Sequence, residues 1–259
     1  LRSPQRMITT SGCHDCRPAQ MNIILLQPDD WLNDTTVVLA DRRYRHLHDV
    51  LKVAVGDSLR VGLLGGQSGC GIVVALSDSE APLEVKLTEP PPVRHPRDLI
   101  LALPRPKMLR RVFRTVAEMG VSRVDVIHSA RVEKSFWQSP LLRPDRINAA
   151  LLAGLERAGD TVVPEVHLHP RFKPFVEDRL PELIATNTCW IAHPGAGEAL
   201  SGQVGEGLIM LGPEGGFVPF EVDLAQSVGA LPVNLGARTL SVDTAVAAAL
   251  SQSLAGTNS

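Results

Sequence analysis

The chain lacks the features that mark secreted or membrane proteins. It has only four cysteines in 259 residues, and their wide scatter does not resemble a disulfide scaffold. No apolar run approaches the roughly 20 residues that span a bilayer. The net charge of −2 argues against a protein that coats polyanions with its whole surface. We therefore expect a cytoplasmic globular protein that does not contact a membrane.

The segment Cys13-His14-Asp15-Cys16 has CxxC spacing but no second ligand pair follows it. A tetrahedral zinc site needs four ligands, so no metal site is predicted. Residues 1–20 have neither periodicity nor the apolar segment of a secretory signal. They are interpreted as a flexible N-terminal extension.

A proline-rich stretch, Glu89–Pro96, divides the chain. Prolines at this density favour a stiff extended connector, which predicts domains at residues 21–92 and 97–259. The first domain is predicted to contain one helix, from an N-cap at Asp41 to about Leu51. Its remaining candidates are short strands, which together predict a small β-barrel: Asn22–Leu26, Thr36–Leu39, Ser58–Leu64, Cys70–Leu76 and Leu83–Leu87.

The second domain alternates short apolar runs with helical patterns. This alternation predicts an α/β fold with a parallel sheet covered on both faces. The predicted strands are Leu99–Leu103, Val124–Ile127, Cys189–Ala192 and Leu208–Leu211, and the predicted helices are Lys107–Met119, Pro144–Ala158, Pro219–Val228 and Thr244–Leu254.

A glycine-rich turn, Leu211–Phe217, joins an apolar strand to a helix that starts near Pro219. Ligands of open α/β sheets bind at the carboxyl ends of strands. The turn has neither GxGxxG spacing nor a phosphate-loop lysine, and Glu214 would repel phosphate. It is therefore either a site for a ligand held by backbone hydrogen bonds or only a connection.

A second cluster, Leu235-Gly236-Ala237-Arg238-Thr239-Leu240, again precedes a helix, which opens with Thr244-Ala245. This pairing with the Gly212-Pro213-Glu214-Gly215-Gly216-Phe217 turn resembles the SPOUT family that methylates N3 of a uridine in small-subunit ribosomal RNA. Three further stretches are also similar to sequences of this family. They are Arg42–Leu47 with Val50-Leu51-Lys52 and Gly56-Asp57; Pro106-Lys107 with Ala117–Val121; and Arg131–Lys134.

The resemblance implies an N-terminal PUA-like β-barrel that binds RNA and a C-terminal SPOUT α/β domain with a trefoil knot. It further implies a homodimer, S-adenosylmethionine (SAM) as cofactor, and 16S ribosomal RNA or the small ribosomal subunit as partner. By motif, the cofactor-binding residues would be His193, Pro194, Gly195, Leu211, Gly212, Pro213, Glu214, Gly215, Gly216, Leu235, Gly236 and Leu240.

The sequence departs from this family just before the last helix. Ser241 stands where an arginine is usual, and Asp243 stands where a glutamate is usual. These departures keep open a second hypothesis, an RNA-binding or ribosome-assembly protein with weakened catalysis. A third hypothesis, a doubly wound nucleotide-binding enzyme, is disfavoured by the missing phosphate-loop lysine.

Two basic surfaces are predicted to contact RNA. Residues 97–134 contain nine Lys/Arg and four Asp/Glu. The helix from Lys107 places its cations opposite its apolar face, although cations in a first turn oppose the helix dipole. Arg114 can pair with Glu118 at i,i+4 spacing. The predicted RNA-binding residues are Arg42, Arg43 and His46 in the first domain, and Lys107, Arg110, Arg111, Arg114, Arg131 and Lys134 in the second.

Arg238 and Asp243 are the catalytic candidates. Loss of the N3 proton spreads negative charge over the uracil ring, which a cation can stabilise. Arg238 lies between two predicted cofactor-loop residues and is assigned this role, with a structural salt bridge as the alternative. Asp243 would orient Arg238 or accept the proton, and Glu214 would favour the positive sulfonium.

Overall fold

The computed structural model describes residues 22–254. The predictions for residues 1–20, including Cys13 and Cys16, lie outside this range. The described chain forms two compact units. The first contains residues 22–91 together with residues 159–161, and the second contains residues 92–158 and 162–254.

The first unit is built on a curled five-stranded mixed sheet in the order β1-β3-β4-β5-β2. Only the β1–β3 pair is parallel, and the other neighbours are antiparallel. This sheet confirms the predicted small β-barrel class, with β1 and β2 as its two edges. The strands are β1 (Ile24–Leu26), β2 (Thr36–Leu39), β3 (Ser58–Leu63), β4 (Ser68–Val73) and β5 (Ala81–Glu89).

The predicted helix of the first unit is confirmed. Asp41 caps it by accepting a hydrogen bond from the Arg43 backbone N–H at 2.8 Å, which satisfies an otherwise unpaired donor. Helix α1 (Arg42–Arg45) continues as a π-helical segment, His46–Leu51. Tyr44 and Leu47 on its inner face are buried in the core of the sheet.

The second unit contains a six-stranded parallel sheet in the order β11-β9-β10-β6-β7-β8. The predicted parallel α/β fold is therefore confirmed. The strands are β6 (Arg97–Ala102), β7 (Arg123–Ile127), β8 (Glu165–His169), β9 (Thr188–Ala192), β10 (Gly207–Leu211) and β11 (Leu231–Val233). The helices are α2 (Pro106–Glu118), α3 (Pro144–Ala158), α4 (Phe172–Pro174), α5 (Leu180–Ile184), α6 (Pro219–Ser227) and α7 (Val242–Leu254).

The centre of this sheet is the β6–β10 pair, whose apolar side chains are buried, as expected for strands covered on both faces. Helix α2 turns its apolar residues inward and packs against α3. The two helices approach most closely at Gly154, where an added Cβ would lie 2.5 Å from the Arg114 carbonyl oxygen. Strand β8 and the helical segment from Phe172 to Ile184 were not predicted from the sequence.

Within residues 22–254, no helix combines the length and the apolar character that crossing a membrane requires.

Candidate functional site

A cavity of about 370 Å³ lies at the carboxyl ends of β9, β10 and β11. Its volume falls within the roughly 300–1,000 Å³ of typical small-molecule sites. Three loops line it, and they include eleven of the twelve residues that the resemblance assigns to a cofactor. The lining residues are Ala192, His193 and Pro194, then Leu211 to Gly216, then Leu235 to Leu240 with Val242 and Ala245.

The turn after β10 is attached to the loops that follow two other strands. The Gly216 backbone N–H donates to the Pro213 carbonyl at 2.8 Å and closes the turn. The Arg105 backbone N–H donates to the Glu214 carboxylate at 3.2 Å. The Arg131 guanidinium donates to the Gly215 carbonyl. This wall of the cavity therefore depends on residues far away in the sequence.

Asn234 connects the other two loops of the cavity. Its side-chain amide donates to the carbonyls of Ala196 and Glu198 at 3.0 and 2.9 Å, and its oxygen accepts from the Gly236 backbone N–H at 3.1 Å. Gly236 has a φ of +117°, a conformation that side-chain-bearing residues rarely adopt. The glycine of this motif is thus required by the backbone of the loop.

His193 lines the cavity, whereas Gly195 does not. The His193 ring nitrogen Nδ1 accepts a hydrogen bond from the Gly195 backbone N–H at 3.1 Å. The His193 backbone N–H donates to the Val233 carbonyl at 2.8 Å, which ties this loop to the end of β11. Gly195 thereby shapes the loop from behind the lining.

Among the lining residues, the only carboxylate is that of Glu214 and the only guanidinium is that of Arg238. With one carboxylate against one guanidinium, the lining carries no excess of positive charge for a phosphate group. Its backbone groups and short apolar side chains suit a ligand that is held mainly by shape and backbone hydrogen bonds. Arg238 is exposed, and its guanidinium is accessible to a second ligand at the cavity.

Asp243 is not among the residues that line the cavity. Its carboxylate accepts hydrogen bonds from the Ser241 hydroxyl and the Arg111 guanidinium, both at 2.6 Å. These bonds, that of Ser241 first, hold the pKa of Asp243 below its usual value. Asp243 is therefore ionised at neutral pH and joins α2 to the start of α7, with Arg111 rather than Arg238 as its described partner.

The cations of α2 lie on its solvent side. Lys107, Arg110 and Arg111 are exposed, and Arg111 is held in place by Asp243. The predicted Arg114–Glu118 pair is not among the ion pairs of residues 22–254. The Glu118 carboxylate lies 3.9 Å from the Arg157 guanidinium of α3. Arg131 and Lys134 are also exposed, in the segment after β7.

In the first unit, Arg43 does not lie on an open basic surface. Its side chain is only 10% exposed and forms a two-bond ion pair with Asp30, both bonds at 2.6 Å. It also donates to Asp41 and to the Leu25 carbonyl. Its guanidinium therefore stabilises the first unit, and its predicted contact with RNA stays a prediction. Arg42 and His46 are exposed.

Sequence reasoning missed one side-chain cluster after β7. The Trp137 indole N–H donates to His128 Nδ1 at 2.9 Å, and Trp137 lines a second cavity. The available signal was a tryptophan between a strand and a helix, in a loop rich in serine and proline.

Comparisons with known proteins give a consistent result. The family model described as an RNA methyltransferase domain matches residues 91–253. The ribosomal RNA small subunit methyltransferase E of Treponema pallidum is 28% identical over 245 residues, which cover 91% of this chain and 91% of that protein. The protein of the same name from Synechocystis is 28% identical over 223 residues, covering 85% of this chain and 73% of the relative.

A solved structure has a similar fold. It is the ribosomal RNA small subunit methyltransferase E of Neisseria gonorrhoeae, bound to S-adenosyl methionine. The TM-score is 0.72 at 22% identity, and the alignment covers 88% of this chain and 95% of the other.

Proposed function

This chain belongs to the RNA methyltransferase domain family, and on that premise we propose that it binds SAM in the cavity at β9, β10 and β11 and methylates ribosomal RNA. The observation that carries the proposal is the meeting of three loops at the carboxyl edge of one parallel sheet. Ligands of open α/β sheets bind at this edge. Both relatives named above carry the name of a ribosomal RNA methyltransferase.

The residues of the cavity fit SAM. A side chain at Gly212 would crowd the turn after β10, because an added Cβ would lie 3.0 Å from the Phe217 backbone nitrogen. Backbone groups are therefore accessible to an adenosine moiety. The Glu214 carboxylate provides negative charge for a sulfonium, and Arg238 is the one cation among the lining residues.

For the reaction, we propose that the acceptor is N3 of a uridine in 16S ribosomal RNA. When bound, SAM supplies an electrophilic methyl group. The chain contributes mainly by positioning the acceptor in line with that group. Arg238 stabilises the negative charge that develops on the uracil oxygens when the N3 proton leaves. Asp243 is not assigned as the base, because its lowered pKa makes it a weak base. It acts as a positioning residue that joins Arg111 of α2 to the start of α7.

The RNA is proposed to contact both units. In the second unit, the proposed phosphate contacts are the exposed cations Lys107, Arg110, Arg131 and Lys134 and the half-buried Arg114. In the first unit, for which we propose a PUA-like barrel, the exposed residues Arg42 and His46 are the proposed contacts. We also propose a trefoil knot within residues 97–259, a homodimer and a cytoplasmic location.

The test is transfer of a radiolabelled methyl group from SAM to small ribosomal subunits from cells that lack this protein, with mass spectrometry of the modified nucleoside. The expected product is N3-methyluridine at one position. Arg238→Ala should remove transfer and leave SAM binding by calorimetry intact. Arg157→Ala is the matched control, because Arg157 is an exposed arginine of α3 outside the cavity lining and outside the proposed RNA contacts. Normal turnover by Arg238→Ala would contradict the assigned role.

A second candidate function is an RNA-binding or ribosome-assembly protein with little catalysis. It is favoured by Ser241, whose hydroxyl is used within the chain by Asp243 and Thr244 at 2.6 and 2.9 Å, so that residue offers no cation to RNA. Binding of SAM and RNA without methyl transfer to any small-subunit substrate would support this candidate over the enzyme.

A further inference from the structure

A second cavity, of about 510 Å³, lies in the second unit where β7 and β8 end. Its lining combines an aromatic ring, apolar surface, an amide and a cation. The residues that carry these properties are Trp137, Leu142, Leu168, Pro170, Gln138 and Arg143. Leu168 on β8 is 40% exposed. This mixture of a flat ring with polar groups suits a planar heterocycle better than an aliphatic ligand.

The Trp137 ring is held in one orientation. Its indole N–H donates to His128 Nδ1 at 2.9 Å, and the two ring centroids are 6.2 Å apart at an interplanar angle of 52°. Burial, together with nearby Lys134, holds the pKa of His128 below its usual value despite the opposing charge of Glu221. The imidazole is therefore neutral at physiological pH, and its Nδ1 remains a hydrogen-bond acceptor. A ring fixed in this way loses little freedom when a ligand stacks on it.

The segment around the cavity is positively charged. Residues 131–146 contain four basic residues and two acidic ones, Glu133 and Asp145. Asp145 lies 3.5 Å from Arg146 in an exposed ion pair. The basic residues are Arg131, Lys134, Arg143 and Arg146. Trp137 is half-buried, and an excess of cations beside an accessible ring face is the combination that binds single-stranded nucleic acid.

The position of the cavity relates it to the proposed methyl-transfer site. Both cavities lie at the carboxyl edge of the same sheet, one at β9, β10 and β11 and the other at β7 and β8. Arg131 lies between them, because it follows β7 in the chain and its guanidinium donates to the Gly215 carbonyl of the first cavity. A nucleic-acid strand along this edge would meet both.

We propose that this second cavity binds an unpaired nucleobase of the substrate RNA, stacked on Trp137, next to the nucleotide that is methylated. The inference rests on the proposed function for the identity of the RNA. An unpaired base is required because bases within a duplex do not expose their faces. Gln138 provides a donor and an acceptor to the edge of the base, and the surrounding cations contact the flanking phosphates.

The first test compares Trp137→Leu with Trp137→Phe in binding a short single-stranded oligouridylate. Stacking contributes about 1–3 kcal/mol per base, so Trp137→Leu should weaken binding about tenfold, whereas Trp137→Phe keeps a ring and most of the affinity. A second ligand has the same phosphates but abasic sites in place of its bases. The wild-type protein should bind this abasic oligonucleotide as weakly as Trp137→Leu binds the intact oligouridylate. Equal affinity of Trp137→Leu and the wild type would overturn the proposal.

Leu168 provides a second test that does not depend on the Trp137–His128 hydrogen bond. It is exposed on β8, so Leu168→Glu and Leu168→Lys should fold alike and differ only in the charge they bring to the cavity. The glutamate should weaken oligouridylate binding severalfold, and the lysine should retain or strengthen it. Equal RNA affinities of Leu168→Glu and Leu168→Lys would refute the proposal. Unchanged RNA binding together with a changed oligomeric state in sedimentation would also refute it, and would assign the cavity to an interface between copies of the chain.

The base site at the second cavity and the proposed methyltransferase activity can be refuted separately. SAM binding by calorimetry and methyl transfer to small subunits are measured on the same preparations. Transfer by the wild type with full RNA affinity in both Trp137→Leu and Leu168→Glu refutes only the base site. Absence of transfer by the wild type, together with Trp137-dependent oligouridylate binding, refutes only the proposed enzyme.

Discussion

Replacement of Arg131 by leucine tests how the turn after β10 is held. Arg131 was predicted from the sequence to contact RNA, but its guanidinium donates to the Gly215 carbonyl in the wall of the first cavity. Its aliphatic carbons also cover Gly215, where an added Cβ would lie 2.9 Å from the Arg131 Cδ. Arg131→Leu keeps much of this cover and removes the hydrogen bond.

The size of the effect follows from the remaining attachments. A hydrogen bond from a charged group contributes about 1.5–3 kcal/mol, and solvent exposure of Arg131 reduces this to about 1 kcal/mol. The bond between the Arg105 backbone and Glu214 persists, at 3.2 Å. Since about 1.4 kcal/mol is a tenfold change, Arg131→Leu should weaken SAM binding about fivefold in the absence of RNA.

Calorimetry with SAM alone is the assay, because it isolates the turn from any contact with RNA. Lys134→Leu is the matched control, since it removes a cation from the same segment at a residue that has no described bond to the turn. Arg131→Lys should recover part of the affinity. An unchanged SAM affinity in Arg131→Leu, with weakened RNA binding, would show that Arg131 acts on RNA alone and would refute the reasoning.

Two further predictions concern stability. Gly154→Ala should lower the free energy of unfolding by about 1–2 kcal/mol. Overpacking against the Arg114 carbonyl oxygen, 2.5 Å from the added Cβ, outweighs the better helix propensity of alanine. Stabilisation of this variant in urea denaturation would contradict this packing. Asp125→Asn should lower it by roughly 2–4 kcal/mol, since it weakens a buried pair with Arg123 at 2.6 Å and His169 at 2.7 Å. Burial raises the pKa of Asp125, but the hydrogen bonds from Arg123 and His169 outweigh this effect and hold the pKa below its usual value. The stabilisation that the Asp125 carboxylate contributes is therefore complete above about pH 4 and is lost as the pH falls. Thermal melts between pH 7 and pH 3 should therefore show a smaller loss of stability in Asp125→Asn than in the wild type, and parallel curves would contradict the assignment.

Local patterns were sufficient to predict most of the second unit. The apolar run before Gly212 and the amphipathic face of α2 are short-range signals, and burial on both faces of the sheet reinforces them. Strand β8 was missed because Glu165–His169 has few apolar residues. Its place at the sheet edge is supported by a long-range bond, from His169 to Asp125 on β7.

The roles of single cations were less predictable than the elements that carry them. The sequence places Arg43 in a basic run, but its carboxylate partner Asp30 lies in a separate turn of the chain. Arg111 and Asp243 are 132 residues apart and form an ion pair at 2.6 Å. Such pairings depend on tertiary structure, which composition and periodicity do not contain.

The order of strands in the parallel sheet constrains how the chain reaches its native state. Strand β10 lies between β6 and β9, although both of these precede it in synthesis. The central pairing joins Arg97–Leu101 to Gly207–Leu211, across more than 100 residues of intervening chain. Contacts at such separation slow folding, because loop closure costs entropy before the contact compensates for it. Strand β9 takes its native place only when β10 lies between it and β6, so the cavity at β9, β10 and β11 is completed only after these long-range contacts form.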